Sequence, residues 1–166
     1  MIIRNESNQD VDVITKVTEA AFKELAVSQQ TEQFIIKALR KAGVLTVSLV
    51  AEVDGEVVGH VAFSPATLSD GSSKWYGLGP VSVLPEYQKQ GIGSELINKG
   101  LSILKDKKAN GCAVVGEAGY YERFGFKHVT GLTYEGVPDE AFLIMPFNDK
   151  APQGIIKFHE AFFAKE

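Results

Sequence analysis

The chain has 166 residues, enough for one domain with a substantial core, and its 45% hydrophobic and 23% charged residues are those of a globular protein. A net charge of −4 and a pI near 5.4 exclude bulk binding to DNA or to a membrane surface through charge, but not a small anion held locally. A single cysteine, Cys112, excludes a disulfide framework and a cysteine metal site, and His60, His128 and His159 lack ligand spacing, so no metal is expected.

No apolar run reaches the roughly 18 residues of a membrane span. The N-terminus MIIRNESNQD is too polar for a signal peptide, so a cytoplasmic location is expected. Ile2-Ile-Arg4 reads as a first strand. Asp10 caps a helix whose inward face is Val13, Ile14, Val17 and Ala21. Thr31 caps a second helix, with Phe34, Ile35, Ala38, Leu39 and Ala42 inward and Gly43 at its end. Two helices directly after the first strand either wall a cleft or merely cover a sheet face.

From Leu45 the pattern becomes that of strands. Val47–Val53 and Glu56–Phe63 flank Asp54-Gly55, a strong hairpin signal, and Pro65 is expected to end the second strand. Ser69-Asp-Gly-Ser72 makes the next turn, and Lys74 to Val83 the third strand. Gly77, Gly79 and Pro80 lie inside it, which predicts a bulge or a break in pairing, because proline has no N–H to give to a ladder.

Val81-Ser-Val-Leu84 then runs through Pro85 into Gln88-Lys-Gln-Gly-Ile-Gly93 and a helix. Ile92, Leu96, Ile97, Leu101 and Leu104 share one stripe of that helix, and Asn110-Gly111 ends it. Strand, glycine loop and helix build an anion site from backbone. The first-turn N–H groups are free, the helix dipole favours negative charge, and glycines remove the Cβ atoms that would hold a ligand off. A tight strand-to-helix corner explains the glycines equally well. The polar Gln88-Lys89-Gln90 run favours the anion site.

Cys112 to Val115 reads as a buried strand, parallel to the one before the helix. Tyr120 to Phe124 is a short helix stopped by Gly125. Phe126–Val129 and Ala141–Pro146 follow as strands, and Ile156 to Phe158 as a last one.

These features resemble a known family. Gln88-x-x-Gly91-x-Gly93 resembles the Q/R-x-x-G-x-G/A pyrophosphate loop of the GNAT acetyltransferases, and Tyr121-Glu-Arg-Phe-Gly125-Phe126 resembles their Y-x-x-x-G-F run. Asp54 to Pro65, Gly77-Leu-Gly-Pro80 and the Tyr-Tyr-x-Arg-Phe-Gly-Phe run look like the YhbS-like branch of predicted N-acetyltransferases. The resemblance implies one α+β domain over 1–166: a mostly antiparallel twisted sheet of about seven strands, a parallel splayed pair at a cofactor cleft, and about four helices.

It further implies acetyl-CoA as co-substrate. Gln88, Lys89, Gln90, Gly91, Ile92, Gly93 and Ser94 would cradle its pyrophosphate. Val81, Ser82 and Val83 would carry the pantetheine arm along their main chains. Tyr121 matches the position of the acid that protonates the leaving thiolate, though Tyr120, Phe124 and Phe126 around it also suit a packed core. Glu117 is the candidate base, with Glu135, His60 or a water chain as rivals. Many relatives carry an Asn shortly before the Tyr helix; Gly116-Glu-Ala-Gly119 has none. The expected acceptor is a small-molecule amine or a protein or peptide amine, and the expected state is a monomer or a homodimer. A non-catalytic acyl-CoA-binding module on the same fold is the alternative.

Overall fold

In the computed structural model, which describes all 166 residues, Asp54 and Gly55 both adopt positive φ. That is the geometry that lets a two-residue turn follow strand twist. The hairpin joins β2 (Val47–Val53) to β3 (Glu56–Leu68), and β4 (Trp75–Val83) continues the meander. β1 (Ile2–Asn5) pairs with β2 at one edge. β5 (Gly111–Val115) lies parallel to β4, and β7 (Phe142–Pro146) closes the other edge antiparallel to β5. The path is β1-β2-β3-β4-β5-β7. β8 (Gly154–Phe158) pairs with the far end of β3, and the short β6 (Leu132–Thr133) pairs with β8. With α1 (Val11–Phe22), α2 (Glu32–Lys41), α3 (Ile92–Asp106) and α4 (Ala118–Tyr121), this makes eight strands, where the resemblance implies about seven, and the four α-helices that it implies.

The helices cover both sheet faces. Leu96, Ile97, Leu101 and Leu104 of α3 bury against Val47, Leu49, Val61 and Phe63 in the main core. On the other face Ile14 of α1 and Ile36 of α2 meet Val50, while Ile35 and Leu39 meet Ala161 from the C-terminal turn. The inward faces are therefore rotated slightly from the expected ones. In α1 they are Ile14, Val17 and Thr18, and in α2 Ile35, Ile36 and Leu39, with Ala42 exposed.

Three local expectations are corrected. Pro65 does not end β3. The strand runs on to Leu68, and Pro65 falls where its outer partner changes from β2, last paired at Phe63, to β8, first paired at Ala66. In that gap a missing N–H costs no ladder bond. Phe126–Val129 is not a strand: Lys127 alone exchanges bonds with Ile144, and the His128 ring lies 3.1 Å from the Phe142 carbonyl. Asp10 does stand at the N-cap position of α1, but its side chain makes no cap bond. Its carboxylate instead accepts from the Ser7 N–H at 2.6 Å and from Arg4 Nη1 and Nη2 at 2.7 and 3.0 Å. The Arg4 guanidinium holds that carboxyl well below the usual range.

Helix α3 lies unusually close to the sheet, because Gly100 faces Phe63. A Cβ at Gly100 would stand 2.6 Å from Phe63 Cζ and overlap Cε1, and the Phe63 ring is fully buried. Alanine would gain about 1 kcal/mol of helix propensity but force an overpacked core costing ~1–3 kcal/mol. Gly100→Ala is expected to lower stability by up to ~2 kcal/mol, read as a lower melting temperature. Gly119→Ala in α4, whose Cβ would meet nothing within 4 Å, keeps the propensity gain without the clash and is expected to cause no loss.

Candidate active site

The pairing of β4 with β5 stops halfway. Trp75 to Leu78 pair with Gly111 to Val114, and then β4 continues alone on that side from Gly79 to Val83. On its other side it stays joined to β3, with a register shift beside Gly79-Pro80, as the sequence predicts for that proline. The Leu84 N–H bonds to the Val58 carbonyl at 2.8 Å. Antiparallel pairs alternate between bonded and non-bonded. The His60–Ser82 pair, two residues along, is therefore bonded, and the backbones of Val81 and Val83 turn away from β3 toward the gap. Val81 and Val83 thus offer main-chain groups to the open edge. Ser82 does not: its backbone serves β3, and its hydroxyl lies 3.3 Å from Thr18 Oγ1 in the layer beneath α1.

The open edge leads to the glycine loop. Lys89 has φ 64° and Gly91 φ 86°, so the backbone curls before α3 begins. The first α-helical bond runs from the Glu95 N–H to the Gly91 carbonyl at 3.0 Å. The six consecutive N–H groups from Lys89 to Ser94 donate to no carbonyl or side chain of the protein. Such a run of donors at a helix N-terminus is an anion-binding concavity. Gln88 is placed differently from the rest of the loop. Its Nε2 donates to the Val83 carbonyl at 2.9 Å, fixing the corner between strand and loop.

Helix α4 lies against this loop. Its Tyr120 hydroxyl sits where a side chain on Gly93 would go, 3.2 Å from that Cβ position. Arg123, exposed on the turn that follows, stacks over the Tyr120 ring at 4.4 Å and donates to Ser94 Oγ at 3.2 Å. Neither residue stands out in the sequence as a site residue, although the three-residue spacing within Tyr120-Tyr-Glu-Arg123 puts them on one helix face. Tyr121 packs edge-on against Phe126, ring centroids 6.0 Å apart, and crosses the end of β5 directly over Gly116. Burial, with smaller contributions from Tyr120 and Cys112, pushes its phenol up to about 12. Glu117 caps α4 through its carbonyl, which accepts from the Tyr120 and Tyr121 N–H groups, while its side chain is exposed. Glu135 is exposed in a distant loop, and Cys112 is buried, its thiol pushed up by that burial.

His60 is fully buried in a polar chain that links α2, the loop after β1, β2 and β3. Arg40 donates to Glu6 from Nε at 2.9 Å and from Nη2 at 3.0 Å; Ser48 Oγ contacts Glu6; and His60 Nε2 lies 2.8 Å from Ser48 Oγ. Glu6 as a carboxylate can only accept, so the Ser48 proton goes to it, and Ser48 must accept from His60. His60 therefore carries its proton on Nε2, and Nδ1 is an acceptor with no partner. Burial lowers the imidazole to about 4, with Glu6 acting against that shift. Burial would raise Glu6, but the bonds from Arg40 and Ser48 outweigh it and hold the carboxyl below its ordinary value.

A splayed parallel pair, a donor-lined glycine loop after the first of the two strands, and a tyrosine at the end of the second define a protein that holds an extended anionic co-substrate against a reaction site. The model of the acetyltransferase (GNAT) family matches residues 13–126, and the chain belongs to that family. It is 31% identical to the N-acetyltransferase YhbS of Escherichia coli K12 over 98% of both chains. A GNAT acetyltransferase from Brucella melitensis, solved in complex with acetyl-CoA, superposes with a TM-score of 0.87 at 48% identity, over 97% of each chain. YhbS from Escherichia coli in complex with CoA gives 0.88 at 30% identity, covering 98% of this chain and 91% of that one. No group of His, Cys, Asp and Glu in the structure is arranged to hold a metal, and no helix is long and apolar enough to cross a membrane.

The buried histidine gives an acid dependence whose sign is fixed. An unfolded histidine titrates near 6.5 and this one near 4, so the unfolded chain binds the extra proton between those values. The stability from keeping His60 neutral is present above pH 6.5 and is lost as the pH falls toward 4. Urea unfolding is expected to show ~2 kcal/mol less stability at pH 5 than at pH 7. His60→Gln should be less stable at pH 7 but much flatter across that interval; an equally steep slope would assign the acid loss to other groups.

Proposed function

We propose that this enzyme moves an acetyl group from acetyl-CoA to an amine, with Tyr121 as the general acid. The observation that carries the reading is the continuity of one path. Six unpartnered N–H groups lie at one end, the outward N–H of Val83 and the outward main chain of Val81 lie along it, and Tyr121 stands where β5 ends. The fit to coenzyme A rests on these groups: the N–H run suits a diphosphate, and the outward amides of β4 suit an arm that itself carries amides. When bound, acetyl-CoA supplies a thioester carbonyl open to attack and a thiolate that leaves.

The residues then have separable tasks. Lys89 to Ser94 neutralise the diphosphate, with the Lys89 ammonium adding a local cation. Val81 and Val83 align the arm. A β4 N–H is available to polarise the carbonyl as negative charge develops on its oxygen; one such donor is worth roughly 3–4 kcal/mol. Tyr121, protonated at neutral pH in any case and raised further by its burial, donates to the departing sulfur. Glu117, exposed at the N-cap of the same helix, takes the proton from the amine, which belongs to a small molecule or to a protein or peptide.

Tyr121→Phe keeps the ring packing and removes the donor. Turnover with a panel of amines is expected to fall by roughly 100-fold or more, with coenzyme A affinity nearly unchanged. Equal turnover would remove Tyr121 from the chemistry, and binding without turnover by the unsubstituted protein would point to a storage or sensing role. Gly116→Ala, whose Cβ would lie 2.5 Å from Tyr121 Cε2, should mimic the loss by displacing the ring.

A further inference from the structure

The glycine loop supplies backbone donors from one side only. What faces it from the other side is the turn after Tyr121, and there the geometry is specific. Arg123 is exposed yet pairs with no carboxylate; the ion pairs of the fold involve Arg4, Arg40 and His60. Its guanidinium is held in place instead. Nε donates to the Tyr120 carbonyl at 3.2 Å, one N–H of Nη2 goes to Ser94 Oγ at 3.2 Å, and the plane rests on Tyr120 at 4.4 Å with Phe124 at 5.5 Å. Both N–H groups of Nη1 and one of Nη2 remain without a partner. Ser94 is the third residue of α3, so this cation sits beside the first turn, among the free N–H groups of Ile92, Gly93 and Ser94.

We propose that Arg123 is a coenzyme A-binding residue that closes the diphosphate site from the α4 side, contacting the pyrophosphate rather than the 3′-phosphate. This rests on the acetyl-CoA reading above. A fixed guanidinium with parallel free N–H groups matches two phosphate oxygens, which a lysine does not do as well. Its position against Ser94 favours the pyrophosphate, because that diphosphate is the group the first-turn N–H groups receive. The Tyr120 hydroxyl, set over Gly93, closes the same side. Arg123 also lies on the turn that continues α4, so the contact that binds the diphosphate steadies the helix that carries Tyr121.

The test is calorimetric binding of coenzyme A and of 3′-dephospho-coenzyme A to the unsubstituted protein and to Arg123→Gln, with the melting temperature of each unliganded protein. The substitution is expected to weaken both ligands by the same factor, roughly tenfold, with the unliganded melting temperature unchanged. A loss seen only with the 3′-phosphorylated ligand would move the contact to that phosphate and overturn the assignment, as would unchanged affinity for both. If Arg123→Gln lowers the unliganded melting temperature, Arg123→Lys decides. A smaller but equal weakening of both ligands supports the pyrophosphate contact, and no weakening overturns it. Failure of the unsubstituted protein to bind coenzyme A would sink the acetyl-CoA reading itself, and this inference with it.

Discussion

The structure depends on β4 giving up one of its two neighbours partway along. A strand in the interior of a sheet normally spends its outward N–H and C=O groups on both sides. Here β4 does so only to Leu78; Gly79 and Pro80 pair with neither neighbour, and from Val81 to Val83 the strand is paired with β3 alone. Proline at position 80 has no N–H, and glycine at 79 takes a φ of 133° that side chains resist, so the local chemistry favours a break at this point. The proposed cofactor path follows from that gap. Without it, Val81 and Val83 would bond to β5, and the glycine loop would have no open edge leading away from it.

An unpaired edge must also be kept open. Core packing on the two faces does this. On one face Gly59 and Gly100 let α3 settle close: a Cβ at Gly59 would stand 3.1 Å from Leu96 Cδ1, and one at Gly100 would overlap Phe63. The close contact fixes where α3 begins and hence where its free N–H groups point. On the other face the residues are polar, with Ser82 bonded to Thr18 and His60 to Ser48. These bonds tie β4 to α1 and β3 to β2, away from β5. The free half of β4 is thus held by everything except the strand it has left.

Much of this was legible in the sequence because it rests on local chemistry. Asp54-Gly55 specifies its own turn, Pro80 its own break, and Gly91 its own left-handed entry to α3. The departures are places where a tertiary partner overrules a local preference. Pro65 looks like a strand terminator, yet β3 passes through it because two different strands share its outer edge. Phe126–Val129 has the composition of a strand, but only Lys127 reaches the outer edge of β7, and the next residue meets the Phe142 carbonyl with its His128 ring rather than its backbone. Asp10 looks like a cap, and the Arg4 side chain, presented by β1, recruits it into an ion pair instead. Arg123 was hidden for another reason: an exposed arginine in a short helix carries no sequence signal until the fold brings it to Ser94.

The division of labour between backbone and side chains explains why the loop is recognisable while the chemistry is not. In the proposed reading diphosphate recognition falls to main-chain N–H groups, so the sequence needs only residues that permit the curl, and those are few and conspicuous. Proton transfer needs side chains whose environment sets their behaviour, and that environment is assembled from distant segments. The Tyr121 phenol, protonated at neutral pH in any case, is raised further by burial against Phe126 and over Gly116 at the end of β5, a setting that only the folded chain supplies. His60, an attractive base in the sequence, is disqualified by the same logic. Its Nε2 proton is committed to Ser48, its ring has no exposed surface, and its burial leaves it too weakly basic to take a proton from an amine at neutral pH. What it does instead is tie β3 through Ser48 to Glu6 and Arg40, and so to α2. That fixes the polar face of the very strand that holds β4 in place.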